Sequence, residues 1–222
     1  MPLFHPRVIE KHTKHLDPMS VSHADILSAW AANLSKGIYD SETQNDDVFI
    51  QRILVNILGY IRTGEGESWT VAKNQPLPKG NVDVALGKFA ADKISIIAPF
   101  ELKGAKTKDL DAIMAGRNKS PVQQAWEYAS DIKGAQWVLV SNYREIRLYA
   151  FGYGRKDYEA FDLSKLNEPK EYARFMLLLS AESLLKGKTQ SLLKESEQVD
   201  KDITDQLYED YKALRAKLIK AI

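Results

Sequence analysis

Apolar residues recur every three or four positions between Ile26 and Leu58 and again from Pro169 onward, and they follow strand-like patterns in the centre of the chain. The stretch Met1–Met19 shows no sustained period, which predicts an extended or loosely docked arm. Helical spacing then predicts one helix that is capped by Ser22 and continues to Leu34. A second helix is predicted from an N-cap at Ser41 to Leu58.

Three strands are predicted in the centre, at Trp69–Gln75, Asn81–Leu86 and Ile94–Phe100. Short connections between them favour an antiparallel meander. Pro99 cannot donate a hydrogen bond to a regular central ladder. We therefore expect a bulge just before Glu101.

A strand reached through a helix is expected to complete the centre of the sheet. Ser120 and Pro121 predict the N-cap and first residue of that helix. The buried run Trp137–Val140 follows it and is expected to lie parallel to the preceding strand. Further strands are predicted at Glu145–Phe151 and Tyr158–Leu163. The predicted fold class is α/β, a mixed sheet made of an antiparallel meander and a parallel strand, flanked by helices.

The carboxy-terminal part of the chain has a helical pattern from Pro169 onward. Apolar residues spaced by three or four across Leu192–Ile222 predict one long amphipathic helix, a helical extension of the core. Its apolar stripe needs a partner, either the body of the protein or residues outside this chain. We expect residues 1–40 to form an amino-terminal arm and helix, residues 41–165 the core, and residues 166–222 the extension.

Composition narrows the class of protein. A chain of 222 residues with 44% apolar content can bury one core of substantial size. The absence of a long apolar run and of a signal core predicts a soluble, cytoplasmic protein with no membrane partner. The chain has no cysteine, so any metal must bind to oxygen or histidine. A net charge of +1 means that DNA contact would require a local basic patch.

Three charged residues at predicted strand ends indicate a candidate site: Asp83, Glu101 and Lys103. Glu101 and Lys103 are two apart and share one face of a strand, whereas Leu102 turns into the core. Carboxylates are ligands that Mg²⁺ prefers, and Mg²⁺ activates water for attack on phosphate. Two close carboxylates repel, which predicts a strained metal-free site that is relieved when Glu101 is neutralised. The alternative is a cross-strand ion pair on an exposed strand end.

The segment after this motif adds candidates for binding DNA. It has a modest excess of basic over acidic residues, which predicts either a phosphate contact or a solvated loop. Its basic residues are Lys106, Lys108, Arg117 and Lys119. In the next predicted helix, Gln124 and Tyr128 stand four apart and share one face. An ordinary amphipathic helix is the alternative there.

With these residues in place, the chain resembles the PD-(D/E)xK nuclease superfamily. More narrowly, it resembles the amino-terminal nuclease domain of restriction-modification enzymes that fuse cleavage and methylation. Val82 stands where the superfamily name has proline. The resemblance is carried by Ser41–Gln44, Phe49–Tyr60, Asp83, Glu101–Lys103, Gln124–Tyr128 and Val140–Tyr149.

The resemblance implies a restriction-endonuclease-like core that hydrolyses double-stranded DNA with Mg²⁺, for which Mn²⁺ can substitute. Asp83, Glu101 and the backbone carbonyl of Leu102 would be the metal ligands. Lys103 would orient the attacking water or help to deprotonate it.

The resemblance also implies roles for residues on two helices. Glu42 would point toward the metal, although a carboxylate that only stabilises the helix dipole is an equal alternative. Gln124 would reach the site or the DNA backbone, and Tyr128 would complete the DNA contact.

The resembled enzymes continue from a helical connector into a methyltransferase domain. We therefore expect methyltransferase and target-recognition domains outside this chain, with a homodimer as a further option. Two alternatives remain open. One is a non-catalytic DNA-binding or assembly module with a nuclease-like fold, and the other is a standalone DNA repair nuclease.

Overall fold

A mixed sheet forms the centre of the computed structural model, which describes residues 2–78 and 80–220 except the side chains at 42–44, 216, 217, 219 and 220. Within these residues the sheet has six strands in sequence order. Neighbouring strands are antiparallel except β3 and β4, which are parallel, so the predicted α/β class and mixed sheet are confirmed. The strands are β1 Ser68–Leu77, β2 Gly80–Ala90, β3 Lys93–Leu102, β4 Trp137–Ser141, β5 Glu145–Ala150 and β6 Glu159–Asp162.

Helices flank the sheet and extend the chain at its carboxy-terminal end. A π-helical turn, Ile50–Val55, directly continues the third helix. Within the described ranges, no helix is both long and apolar enough to cross a membrane. The α-helices are α1 Pro6–Thr13, α2 Val21–Ser35, α3 Glu42–Phe49, α4 Pro121–Asp131, α5 Pro169–Leu179, α6 Ala181–Leu185 and α7 Lys188–Lys220.

The alternation of side chains along β4 separates two apolar layers. Trp137 and Leu139 join the largest apolar cluster, to which α1, α2, α3, α5, α6 and the start of α7 all contribute. Val138 and Val140 pack instead with residues of α4 in a second cluster. The central strands are therefore covered on both faces.

The amino-terminal residues are docked on the body of the protein, so of the two predicted alternatives for this arm the extended one is wrong. Phe4 and Val8 are buried in the largest cluster. Only one turn of α1 faces that cluster, and packing rather than a sustained pattern stabilises so short a helix. The predicted cap of α2 is also wrong by two residues, because Oγ of Ser20 accepts from the N–H of His23 at 3.2 Å.

A bulge interrupts the pairing of β2 with β3, but not where the sequence predicts it. The register passes from Leu86 opposite Ala98 to Gly87 opposite Ile96, which leaves Ile97 as the extra residue. Pro99 pairs with Ala85 in regular register. Pairing of β3 with β4 begins only at the next residue, so the missing N–H of Pro99 costs the β4 ladder no hydrogen bond.

The predicted long amphipathic helix is α7. Its first turns pack on the body of the protein, where Leu192, Leu193 and Ser196 are buried. From Asp200 to Arg215 every residue is exposed. The predicted stripe includes Ile222, which lies outside the described residues. The helix is thus half docked and half unpartnered.

Candidate functional site

The carboxyl ends of β3 and β4 bring together the three charged residues that the sequence selects. The N–H of Lys103 donates to the carbonyl of Ser141 at 2.8 Å, which extends the parallel ladder beyond the end of β3. The Nζ of Lys103 lies 2.7 Å from Oε1 of Glu101 and donates to the carbonyl of Leu102 at 2.6 Å. It also lies 3.7 Å from Oδ2 of Asp83. Three oxygen acceptors therefore surround one ammonium.

The pair formed by Glu101 and Lys103 is deeply buried. Glu101 is 0% and Lys103 1% exposed, so the alternative of an ion pair on an exposed strand end is wrong. Two charges are stable in such a place only when each compensates the other and both are hydrogen-bonded. As predicted, these two side chains share a face of the strand, while Leu102 joins the apolar core.

Asp83 reaches this pair across the meander. Val84 pairs with Phe100 in antiparallel register, so Asp83 and Glu101 are the next residues beyond that pair, on neighbouring strands. Oδ2 of Asp83 accepts from the backbone N–H of Leu102 at 2.8 Å, which fixes the carboxylate across the two strands. The antiparallel pairing of β2 with β3 therefore brings together two acids that are far apart in the sequence.

Asp46 on α3 is an additional acidic residue that sequence reasoning did not select. Its Oδ1 accepts a short hydrogen bond from the hydroxyl of Tyr143. Burial is the main influence on its pKa and raises it above the usual value for aspartate. The hydrogen bond from Tyr143 lowers this pKa, the nearby Asp83 raises it, and the ammonium groups of Lys73 and Lys103 lower it. Asp46 therefore lies within electrostatic reach of the buried pair.

The position of Asp46 in the sequence carries a signal that could have identified it. Asp46 stands three residues before Phe49 and seven before Ile53, so it lies on the apolar stripe of its own helix. An acid on a buried stripe is unusual and indicates a polar environment in the fold. Glu42 stands one turn earlier, at the start of α3, but its side chain lies outside the described residues.

Tyr143 holds Asp46 from the turn that follows β4. The backbone of Tyr143 adopts a positive φ of 63°, which is unusual for a residue other than glycine. The indole N–H of Trp30 donates to its carbonyl at 2.9 Å, and its N–H donates to Oγ of Ser141 at 3.0 Å. The Tyr143 ring also packs 5.2 Å from that of Phe49, centroid to centroid. These contacts fix the hydroxyl that orients Asp46.

On the α4 side, a short chain of polar groups leads from Glu101 to the surface. The guanidinium of Arg117 lies 3.8 Å from Oε1 of Glu101 and donates to Oε1 of Gln124 at 2.9 Å. The amide of Gln124 donates to the hydroxyl of Tyr128 at 3.2 Å. The prediction that Gln124 and Tyr128 share one helix face is thus confirmed.

Next to Glu101 is a polar hollow of about 310 Å³. Two of the residues that line it, Arg117 and Lys119, are basic, and Lys119 forms an ion pair with Glu127. The hollow is linked to the buried pair by Arg117, which lines it and also lies close to Glu101. Its lining is Arg117, Lys119, Gln124, Glu127 and Tyr128.

The two remaining basic candidates lie elsewhere. Lys106 is exposed in the segment that follows β3. Lys108 is exposed too and lines a different, larger hollow of about 760 Å³ together with Asn142 and Arg144. The structure therefore brings Arg117 and Lys119 to the candidate site and places Lys108 at a separate surface.

The oxygen donors that the resemblance assigns to a metal are those around the Lys103 ammonium. In the described part of the chain, no group of three or more histidine, aspartate and glutamate side chains is placed to hold a metal ion. A metal at this site would therefore have the carboxylates of Asp83 and Glu101 and the carbonyl of Leu102 as its protein ligands. Carboxylate and carbonyl oxygens completed by water are the donors that suit Mg²⁺, so the chemistry of the set fits that ion.

Comparisons with known proteins assign no family. No family model matches the chain, and searches of curated proteins and of solved structures also give no match. Function is therefore inferred from the geometry and chemistry of the chain's own residues.

Proposed function

We propose that the chain is a Mg²⁺-dependent endonuclease that hydrolyses phosphodiester bonds of double-stranded DNA, as the cleavage domain of a restriction-modification enzyme. The observation that carries this proposal is the convergence of Asp83, Glu101 and the Leu102 carbonyl on the ammonium of Lys103. Metal-dependent phosphodiester hydrolysis uses hard oxygen ligands to hold the cation and a group that orients the attacking water. One site would supply both.

Each residue has a separate role in this reaction. Mg²⁺, when bound, stabilises negative charge on the phosphate and lowers the pKa of water. Asp83, Glu101 and the Leu102 carbonyl would hold that ion. Lys103 would orient the attacking water beside the ion, after its ammonium has been displaced from the oxygens of Glu101 and Leu102 that it contacts in the metal-free protein. The water oxygen bonds to phosphorus as one P–O bond breaks, and the proton released by water ends on the leaving oxygen.

The hollow beside α4 would hold the DNA backbone. A guanidinium binds phosphate through a planar pair of donors, and that of Arg117 is half exposed within contact distance of Gln124. Lys119 and Tyr128 extend the same wall. Lys106, and Lys108 at its separate hollow, would then contact phosphates farther along the duplex. These contacts carry no base information, so sequence recognition would lie in other domains.

A second function is favoured by the burial of the ion pair. Glu101 and Lys103 compensate each other without any metal, so they would also suit a DNA-binding or assembly module in which this pair only stabilises the fold. The two functions differ in one respect. A structural pair predicts DNA binding without hydrolysis, and no effect of Mg²⁺ on the protein.

The experiment that tests the proposal is nicking of supercoiled plasmid by the purified chain, with and without Mg²⁺. Asp83→Asn should lower the nicking rate by at least about 100-fold, because the variant lacks one of the carboxylate ligands of the metal. Asp92→Asn is the matched control, because it removes the same charge from the exposed turn between β2 and β3. Equal rates for the parent and Asp83→Asn would contradict the proposal. DNA binding with no Mg²⁺-dependent cleavage would favour the second function.

A further inference from the structure

The exposed half of α7 continues an apolar stripe that is buried in its docked half. In the docked half, Leu192, Leu193 and Ser196 lie against the body of the protein. At 3.6 residues per turn, five of the apolar residues that follow fall within about 80° of the helix circumference, on the same side, whereas Tyr208 lies outside this arc. These five residues are 42–68% exposed: Ile203, Leu207, Tyr211, Leu214 and Leu218.

Charge is divided sharply along the same exposed half. Residues 200–210 include five acidic residues and one basic residue. Residues 211–220 include four basic residues and no acidic one. The two halves therefore carry net charges of about −4 and +4, with the midpoint just before Tyr211.

This pattern is complementary to itself when the direction of the helix is reversed. Two packed helices lie about 8–10 Å apart, which is about one Debye length at physiological salt, so their charges interact. In an antiparallel pair the acidic half of each helix faces the basic half of the other. In a parallel pair like charges would face each other. Reversal also places Leu207 near Leu214 of the second copy and aligns the two stripes.

We propose that the exposed half of α7 is a self-association surface, on which α7 of a second copy of the chain packs antiparallel about a midpoint near Tyr211. Burial of the stripes drives the association, and the opposite charges set its direction. The two candidate sites would then lie at opposite ends of one helix pair. This inference does not depend on the proposed nuclease function.

Sedimentation velocity of the full chain between about 1 and 100 µM tests whether the exposed half of α7 mediates dimerisation. The parent should pass from monomer to dimer over this range, and Leu207→Gln/Leu214→Gln should weaken dimerisation at least about tenfold. Both leucines are exposed, so the body of the protein should fold unchanged, which circular dichroism verifies. The control is Glu209→Gln/Lys212→Gln, which removes an exposed ion pair on the opposite face and preserves the net charge. It should dimerise as the parent does.

Spin labels test the direction of packing, and the absence of cysteine from the chain allows one label at a time. Labels at Lys212→Cys lie close to the midpoint on the outer faces of the helix pair, so their separation should be set by the width of the pair and hardly at all by an offset along the axis. Labels at Lys201→Cys lie about ten residues from the midpoint and should be about 30 Å apart along the axis. Equal distances at both positions would indicate parallel packing and contradict the proposal. A monomer throughout, or a dimer that persists in Leu207→Gln/Leu214→Gln, would also contradict it.

Discussion

The Nζ atom of Lys103 lies 2.7 Å from Oε1 of Glu101, and neither side chain is accessible to solvent. Each charge therefore depends on the other, because removing one leaves its partner uncompensated in a medium of low dielectric. The sequence alone suggests that repulsion between Asp83 and Glu101 dominates. In the structure the Asp83 carboxylate is hydrogen-bonded to the Leu102 N–H, and that of Glu101 is paired with Lys103. The expected effect of neutralising Glu101 is therefore destabilising.

Glu101→Gln should lower the free energy of unfolding of the metal-free protein by about 2–3 kcal/mol. This is less than the roughly 3–5 kcal/mol lost when a buried pair is broken outright, because glutamine keeps an acceptor for Lys103. Lys103→Met should be comparably destabilising. The double variant should recover most of the loss, since no unpaired charge remains. Urea unfolding without divalent metal gives the free energy of unfolding of the parent, the two single variants and the double variant. A Glu101→Gln variant as stable as the parent would show that the two charges are not coupled.

Asp46→Asn should change how stability depends on pH. The pKa of Asp46 is raised in the folded protein, chiefly by burial, so the folded state binds this proton more tightly than the unfolded chain does. The contribution of Asp46 to stability is then fully present below its unfolded pKa and is lost as pH rises through the folded pKa. Asparagine keeps an acceptor for Tyr143 but cannot ionise. Melting temperatures measured from acidic to neutral pH should therefore shift progressively in favour of the variant, whereas a constant difference between variant and parent would contradict this account.

Arg117→Gln should weaken binding to a DNA duplex and reduce its dependence on salt. Each phosphate neutralised by a cation contributes about 0.9 to the slope of log K against log salt, so losing one contact should lower the slope by about one. Arg7→Gln on α1 is the matched control, with the same loss of charge at an exposed position outside the α4 hollow. Fluorescence anisotropy in Ca²⁺, at several salt concentrations, supplies both slopes. Equal slopes for Arg117→Gln and the parent would place the DNA elsewhere.

Gly87→Ala should destabilise the bulged pairing of β2 with β3. A Cβ at this position would lie 2.1 Å from the carbonyl oxygen of Ser95, so the backbone would have to move. Overpacking of this kind typically costs about 1–3 kcal/mol, and a backbone clash favours the upper end. Gly66→Ala is the control, because its Cβ would make only ordinary contact at 3.8 Å. Thermal unfolding should separate the two variants, and similar stabilities would mean that this register is not required.

The sequence predicts the strand order because the relevant signals are local. Ser120 and Pro121 start α4 as predicted, with Oγ of Ser120 accepting from the N–H of Gln123 at 3.1 Å. The two-residue spacing of Glu101 and Lys103 likewise predicts that they share one face at the end of β3, away from Leu102. These features depend on neighbours in sequence, so they can be found without a fold.

The features that escaped prediction depend on partners distant in sequence. Helix α1 is stabilised by the body on which Phe4 and Val8 dock. Asp46 meets the hydroxyl of Tyr143, almost a hundred residues later in the chain. The bulge lies at Ile97 because the register of β3 is set by β2 on one side and by the later start of β4 on the other. Tertiary contacts decided each of these three positions.

The most direct test of the proposed metal site is anomalous diffraction from crystals of the chain soaked in Mn²⁺. We expect a peak between the carboxylates of Asp83 and Glu101, within bonding distance of the Leu102 carbonyl, with the Lys103 ammonium displaced from that position. The peak should be absent from Asp83→Asn crystals soaked in the same way. A soaked parent crystal without such a peak, in which Nζ of Lys103 still contacts Glu101 and the Leu102 carbonyl, would contradict the metal-dependent mechanism.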